Sequence, residues 1–209
     1  MDSLVAAAIH DAKNALNALG AALDEAGREH PSPALERARA MAGRISSQLV
    51  ELLALHRHDQ GSLRLAVDDH DLADFLQDTL AELERPAGMA VSCDDAQARR
   101  IGAWAFDAYQ VKFVLLDALR NGLRHAGSNV RLAVAAEPGG GIRFTVADDG
   151  PGFPPEVLAG ETSPMAAQSS GLGLVFARLI AEQHATPNGR RGRIELANDG
   201  GARFSLVLP

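Results

Sequence analysis

The chain has 209 residues, 46% apolar and 22% charged, the balance of an ordered globular protein. Its 20 Lys and Arg against 27 Asp and Glu leave a net charge of −7, which argues against a general nucleic-acid or anionic-membrane binder, since both need a basic surface. The lone Cys93 excludes an intramolecular disulfide or multi-cysteine metal site and fits a reducing compartment. No apolar run approaches the ~20 residues of a membrane span, and Asp2 leads into no signal-peptide pattern, so a soluble, cytoplasmic chain is expected.

Composition and period change near Gly61. Before it, Val5, Ile9, Ala12, Leu16, Leu19 and Leu23 recur at alternating spacings of four and three, as do Leu35, Ala38, Ala42, Ile45, Leu49 and Leu52. Each run predicts a helix with one apolar stripe. Gly27 to Pro33 supplies the stops and the turn, with Ser32 placed to cap the second helix ahead of Pro33. Two such helices form an antiparallel hairpin. Since a hairpin alone covers only part of each stripe, a homodimer closing a four-helix bundle is expected.

After Gly61 strands and helices alternate. Leu63–Val67 reads as a strand, Leu72–Leu83 as a helix, Met89–Cys93 and Ile101–Phe106 as short strands, and Tyr109–His125 as a helix. Asn129–Ala136 and Gly141–Ala147 read as strands paired through the Pro-Gly-Gly-Gly turn at 138–141. Leu172–His184 is a further helix, and Arg193–Ala197 and Ala202–Leu208 form a last hairpin. One sheet with helices on one face is expected.

Two glycine clusters punctuate this pattern. Asp148-Asp149-Gly150-Pro151-Gly152-Phe153 follows an apolar strand, and Ser170-Gly171-Leu172-Gly173-Leu174 opens a helix. Glycines at a strand end admit a ligand close to the backbone, and a glycine-rich helix start aims free N–H groups at an anion. Singly, each reads equally well as a hairpin turn or a helix cap. No Walker-type P-loop occurs. On the helix Tyr109–His125, Asp117 and Asn121 are one turn apart on a shared face, followed by Arg124 and His125. An amide and a carboxylate so placed could hold a hydrated Mg²⁺, or form a solvated stripe.

In chain order, LLDALRNGLRHAG (115–127), DDGPGF (148–153) and GLGL (171–174) resemble the N, G1 and G2 boxes of the ATP-binding domain of sensor histidine kinases, the Bergerat-type fold shared with gyrase. The resemblance covers residues 62–209. It implies that Asn121 ligates Mg²⁺, with Arg124 near the phosphates and His125 beside the nucleotide. It implies that Asp148 accepts a hydrogen bond from the adenine amine, with Gly150 and Gly152 shaping the wall. Gly171 and Gly173, with Leu172 and Leu174 between and after them, would meet the phosphates through backbone amides. Asp117 stands where Asn is often found, as metal helper or as water-orienting base. The segment 154–169 departs from the longer, aromatic-bearing lids of the family.

Six histidines besides His10 occur; His30, His56, His58, His70 and His184 read as ordinary surface or half-buried residues. His10 sits one residue past the apolar seam, followed by Asp11, with Asn14 one turn on. A carboxylate beside a neutral imidazole can orient the ring and take its proton as nitrogen attacks phosphorus. IHDAKNAL (9–16) resembles the H box of histidine kinases, which implies that His10 is the phosphoacceptor, Asp11 its acid/base, and Asn14 a positioner of water for dephosphorylating a partner.

The expected fold class is therefore α+β. An N-terminal helical hairpin (1–60), for dimerisation and histidine phosphotransfer, precedes an ATP-binding α/β sandwich (62–209). The expected activity is ATP- and Mg²⁺-dependent autophosphorylation on His10, then transfer to an aspartate of a response-regulator receiver domain. No nucleic acid or membrane contact is expected. Two rivals are an ATP-independent histidine phosphotransferase with a degenerate ATP site, and an anti-sigma-type serine kinase. The complete N, G1 and G2 boxes oppose the first, and the H-box hairpin opposes the second.

Overall fold

A computed structural model describes residues 2–84, 86, 88–160 and 171–209; the side chains of residues 2–6 and of His10 lie outside the description. The chain divides into two compact units, Met1–Leu63 and Arg64–Pro209.

The first unit holds α1 (Asp2–Glu29) and α2 (Pro33–Asp59), which lie against each other. Ser32 caps α2 in extended backbone, its Oγ accepting from the Leu35 N–H at 3.3 Å, with Pro33 in the first turn. The expected stop at Gly27 is corrected. Instead α1 runs through it to Glu29, and His30 N–H bonds the Ala26 carbonyl. A helical glycine costs only about 1 kcal/mol against alanine, so the break falls at Pro31 and the capped Pro33 instead. Near this turn Arg39 pairs with Asp24 across the two helices. Three members of the expected stripes, Leu19, Ile45 and Leu52, remain 44–48% exposed in the single chain.

Residues 62–67, which link the two units, form no paired strand where Leu63–Val67 was expected. The Ala66 N–H is taken by the Asp107 carboxylate at 2.8 Å rather than by a neighbouring strand. Pairing starts one step later. β1 (Asp68–Asp71) runs antiparallel to β3 (Ala103–Phe106), forming a two-stranded sheet of its own. The single expected sheet is thus two. Asp71 caps α3 (Leu72–Ala81) through the amides of Ala73 and Asp74. Ile101, expected in a strand, closes a short helix α4 (Ala96–Ile101), and the turn at Gly102 separates it from β3. At six residues, α4 is too short to show a period.

The main sheet has the order β2-β4-β5-β7-β6. β2 (Ala90–Asp94) runs parallel to β4 (Asn129–Ala136), while β5 (Ile142–Asp148), β7 (Ala202–Leu208) and β6 (Arg193–Asn198) pair antiparallel, so the sheet is mixed. Along β4 and β5, Val130, Leu132, Val134, Ile142, Phe144 and Val146 alternate inward. They pack with α3, α5 (Ala108–His125) and α7 (Leu172–Gln183), whose Leu72, Leu76, Leu115, Leu119 and Ile180 are buried. Phe106 and Phe144 both meet Phe75 edge-on, at centroid distances of 4.8 and 5.7 Å, and join the two sheets through α3. A one-turn helix, α6 (Pro155–Leu158), follows the glycine loop. None of the described helices is long and apolar enough to cross a membrane.

Candidate functional site

α5 is the backbone of the site. Its N-cap, Asp107, is buried and divides its carboxylate: Oδ1 accepts from Gln110 N–H at 3.0 Å and Oδ2 from Ala66 N–H. Its own N–H donates to Nε2 of buried His184 at 3.0 Å, while Nδ1 of that ring lies 2.8 Å from the Ile180 carbonyl. Both ring nitrogens are thereby used by a neutral imidazole, and burial pushes its pKa down. His184 is structural, and it is buried where the sequence reading expected a surface or half-buried residue.

Two turns on, α5 displays a polar ladder. Arg124 Nη1 donates to Asn121 Oδ1 at 3.2 Å, and Asn121 Nδ2 donates to Asp117 Oδ2 at 3.2 Å. Asp117 is half-buried, and burial raises its pKa against the opposing pull of Arg120, Arg124 and the Asn121 amide. The ladder fixes the Asn121 amide, with its nitrogen towards Asp117 and its oxygen towards Arg124. Two side-chain oxygens one turn apart suit Mg²⁺, which takes one or two protein oxygens and completes its shell with water and phosphate. No group of three or more His, Cys, Asp or Glu exists among the described residues to form a closed cage. His125, at the end of α5, is exposed.

The neighbouring aspartates Asp148 and Asp149 have opposite fates. Asp149 faces the start of β4, where its carboxylate accepts from the amides of Gly127, Ser128 and Asn129 and from Ser128 Oγ at 2.7 Å. These bonds hold it well below the usual carboxylate range. It is a structural tie between loop and sheet. Asp148, half-buried at the end of β5, accepts through Oδ1 alone, from Gly150 N–H at 2.8 Å and Ala202 N–H at 3.2 Å. Its Oδ2 accepts from none of the described residues. The arrangement fixes the carboxylate and leaves one oxygen as a pure acceptor.

Close packing locks this carboxylate to its neighbours. A Cβ on Gly122 of α5 would stand 3.8 Å from the Asp148 Cβ and 3.2 Å from Val130 Cγ1. One on Gly150 would run into the His125 carbonyl, and one on Gly201 into the carbonyl of Asp148 itself. α7 joins α5 through Phe113 and Phe176, whose rings meet edge-on at 5.2 Å. Gly171 caps α7 in left-handed backbone (φ 66°), and no side chain caps the helix. Among the described residues, no side chain accepts from the first-turn amides of α7, over Leu172, Gly173 and Leu174, and amides of this kind can meet an anion. The fold thus brings the last turns of α5 against Asp148 and the glycine loop, and packs α7 on α5 at Phe113 and Phe176. Ser170 and residues 161–169 lie outside the described residues, as does the His10 side chain. In the other unit, Asp11 and Asn14 are exposed on α1.

Residues 106–209 match the family described as histidine kinase-, DNA gyrase B-, and HSP90-like ATPases. This part of the chain belongs to that family. The chain is 31% identical over 185 residues to the signal transduction histidine-protein kinase AfsQ2 of Streptomyces coelicolor, covering 85% of this chain and 33% of the relative. It is 28% identical to the sensory histidine kinase/phosphatase NtrB of Salmonella typhimurium, covering 99% of this chain and 61% of the relative. The chain therefore spans about a third of the first and three-fifths of the second. The crystal structure of full-length ShkA in complex with AMPPNP superposes with a TM-score of 0.66 at 18% identity, covering 100% of this chain and 46% of that one. That likeness is one of fold.

The sequence did not reveal Gly201, Asn198, Asp107 or the structural role of Asp149. Gly122 had a signal, a glycine inside an otherwise regular helical pattern. Apart from the local bond of Asp107 to Gln110, the partners of the others lie 20 or more residues away and left no local signal.

Proposed function

We propose that this chain is the catalytic core of a two-component histidine kinase, with a dimerising phosphotransfer unit over 1–60 and an ATP-binding unit over 62–209. The observation that carries the nucleotide reading is Asp148. Its carboxylate is fixed through Oδ1 and offers Oδ2 to a ligand donor. An exocyclic amine of adenine matches it, whereas guanine would set a carbonyl against a carboxylate. Asn121 and Asp117 are the residues that would hold Mg²⁺, which when bound neutralises phosphate charge. Arg124 adds a cation at the same end of α5, and the α7 amides of Leu172, Gly173 and Leu174 receive the phosphate chain.

In the transfer, an imidazole nitrogen of His10 attacks the γ-phosphorus. The bond from that phosphorus to the β–γ bridging oxygen breaks, a P–N bond forms and ADP leaves. Asp11 takes the imidazole proton. The phosphoryl group then passes to an aspartate of a response-regulator receiver domain. Asn14, exposed one turn along α1, orients water for the reverse task of dephosphorylating that partner, and the kinase/phosphatase name of the NtrB relative supports this bifunctional reading. The exposed Leu19, Ile45 and Leu52 support a homodimer through α1 and α2. The net charge of −7 supports a chain with no nucleic-acid partner. The test is isothermal titration of the purified chain with MgATP and MgGTP; the reading requires binding of the first and much weaker binding of the second.

A further inference from the structure

Asn198 ends β6 at an exposed hairpin, where a polar side chain ordinarily points into water. Its amide is engaged at both atoms instead. Oδ1 accepts from the Phe153 N–H at 2.7 Å, and Nδ2 donates to the Phe153 carbonyl at 3.0 Å, across 45 residues of sequence. A primary amide carries a donor and an acceptor spaced as in a peptide group, so Asn198 pairs with Phe153 much as an adjoining strand would. Gly152 makes room for it. Its φ is 85°, and a Cβ there would fall 2.6 Å from the Asn198 side-chain carbon. The same hairpin also holds the other end of the glycine loop, because Ala202 N–H bonds Asp148 Oδ1 and Gly201 lies against the Asp148 carbonyl. Turn 198–202 therefore grips the loop 148–153 at both of its ends.

We propose that Asn198 is a positioning residue for the nucleotide: by pairing with Phe153 it fixes the backbone wall beside Asp148 before a ligand arrives. The inference rests on the nucleotide reading of Asp148. Ordering a loop in the free protein removes that cost from binding, so loss of the clamp lowers affinity mainly through faster dissociation. Asn198 also lies at the sheet edge, exposed, and outside the apolar core, so its removal leaves the fold standing.

The experiment is titration of the full chain with MgATP, with thermal melting alongside, for the wild type, Asn198→Ala and Asn198→Asp. Two net hydrogen bonds are lost in Asn198→Ala, and affinity is expected to fall on the order of tenfold with the melting midpoint nearly unchanged. Asn198→Asp keeps the acceptor for the Phe153 N–H and loses the donor, so an intermediate affinity is expected; it also carries the test if the alanine variant fails to fold. Wild-type affinity in both variants overturns the proposal. So does a fall in affinity that merely tracks a fall in the melting midpoint, which marks a purely structural role. Absence of MgATP binding by the wild type overturns the nucleotide reading and the proposal with it.

Discussion

Asp148→Asn separates the ligand-reading role proposed for this side chain from its structural one. In the wild type Oδ1 accepts two backbone amides, from Gly150 and Ala202, while Oδ2 takes no bond from the described residues. An asparagine must keep its oxygen at the Oδ1 place, because the reverse orientation would set an NH₂ group against two N–H donors. Its NH₂ then stands where Oδ2 offered an acceptor, facing the adenine amine donor to donor. A hydrogen bond to a charged group contributes about 1.5–3 kcal/mol, so the predicted loss in ATP affinity is about 10- to 150-fold. Stability should change little. Asp148→Ala behaves differently, since it also strands two half-buried amides at a cost of about 1–3 kcal/mol each. For a domain of this size each kcal/mol lowers the melting midpoint by about 2–4 °C. Titration calorimetry and thermal melting of the three proteins side by side provide the assay. Wild-type ATP affinity in Asp148→Asn, or a melting midpoint as low as that of Asp148→Ala, would refute the reasoning.

Three further outcomes are expected. Asn14→Ala should keep autophosphorylation on His10 and lose most phosphatase activity towards the phosphorylated regulator, measured by loss of label from the regulator; wild-type dephosphorylation would remove Asn14 from that role. Ile45, 46% exposed on α2, should lie in the dimer interface, so Ile45→Asp buries an unpaired charge and should reduce the light-scattering mass at tens of micromolar from twice 22.0 kDa to 22.0 kDa. A wild-type chain that is already monomeric would refute the bundle. His184 is buried and neutral with a lowered pKa, so the unfolded state binds the extra proton first and stability is lost as pH falls below about 6.5, at no more than about 1.4 kcal/mol per pH unit. The melting midpoint of His184→Gln should therefore fall less steeply between pH 7 and 5 than that of the wild type, and parallel slopes would refute the linkage.

The glycine clusters and the α5 ladder were legible because their chemistry is local. Asp117 and Asn121 share a face by helical period alone, and the α7 start shows itself as Gly171 ahead of an apolar run. The strand Leu63–Val67 was misplaced because an apolar extended segment and a paired strand look alike in sequence. Whether Ala66 bonds a strand or the Asp107 carboxylate depends on a residue 41 positions away. The same holds inside the site. Nothing in the pair Asp148-Asp149 says which carboxylate is consumed by the Gly127–Asn129 amides and which keeps an oxygen for a ligand, and only the resemblance assigned the first of them. Asn198 was invisible for a related reason. An asparagine beside Asp199-Gly200-Gly201 is a routine turn residue until Phe153 is folded against it.

The central claim is that this chain phosphorylates its own His10 from ATP. Incubation of the purified protein with γ-labelled ATP and Mg²⁺, followed by acid and base treatment of the product, tests it most directly. The account predicts a labelled chain whose label is lost in acid and kept in base, and no label on the His10→Ala variant. An unlabelled wild type, an acid-stable label, or equal labelling of His10→Ala would contradict it.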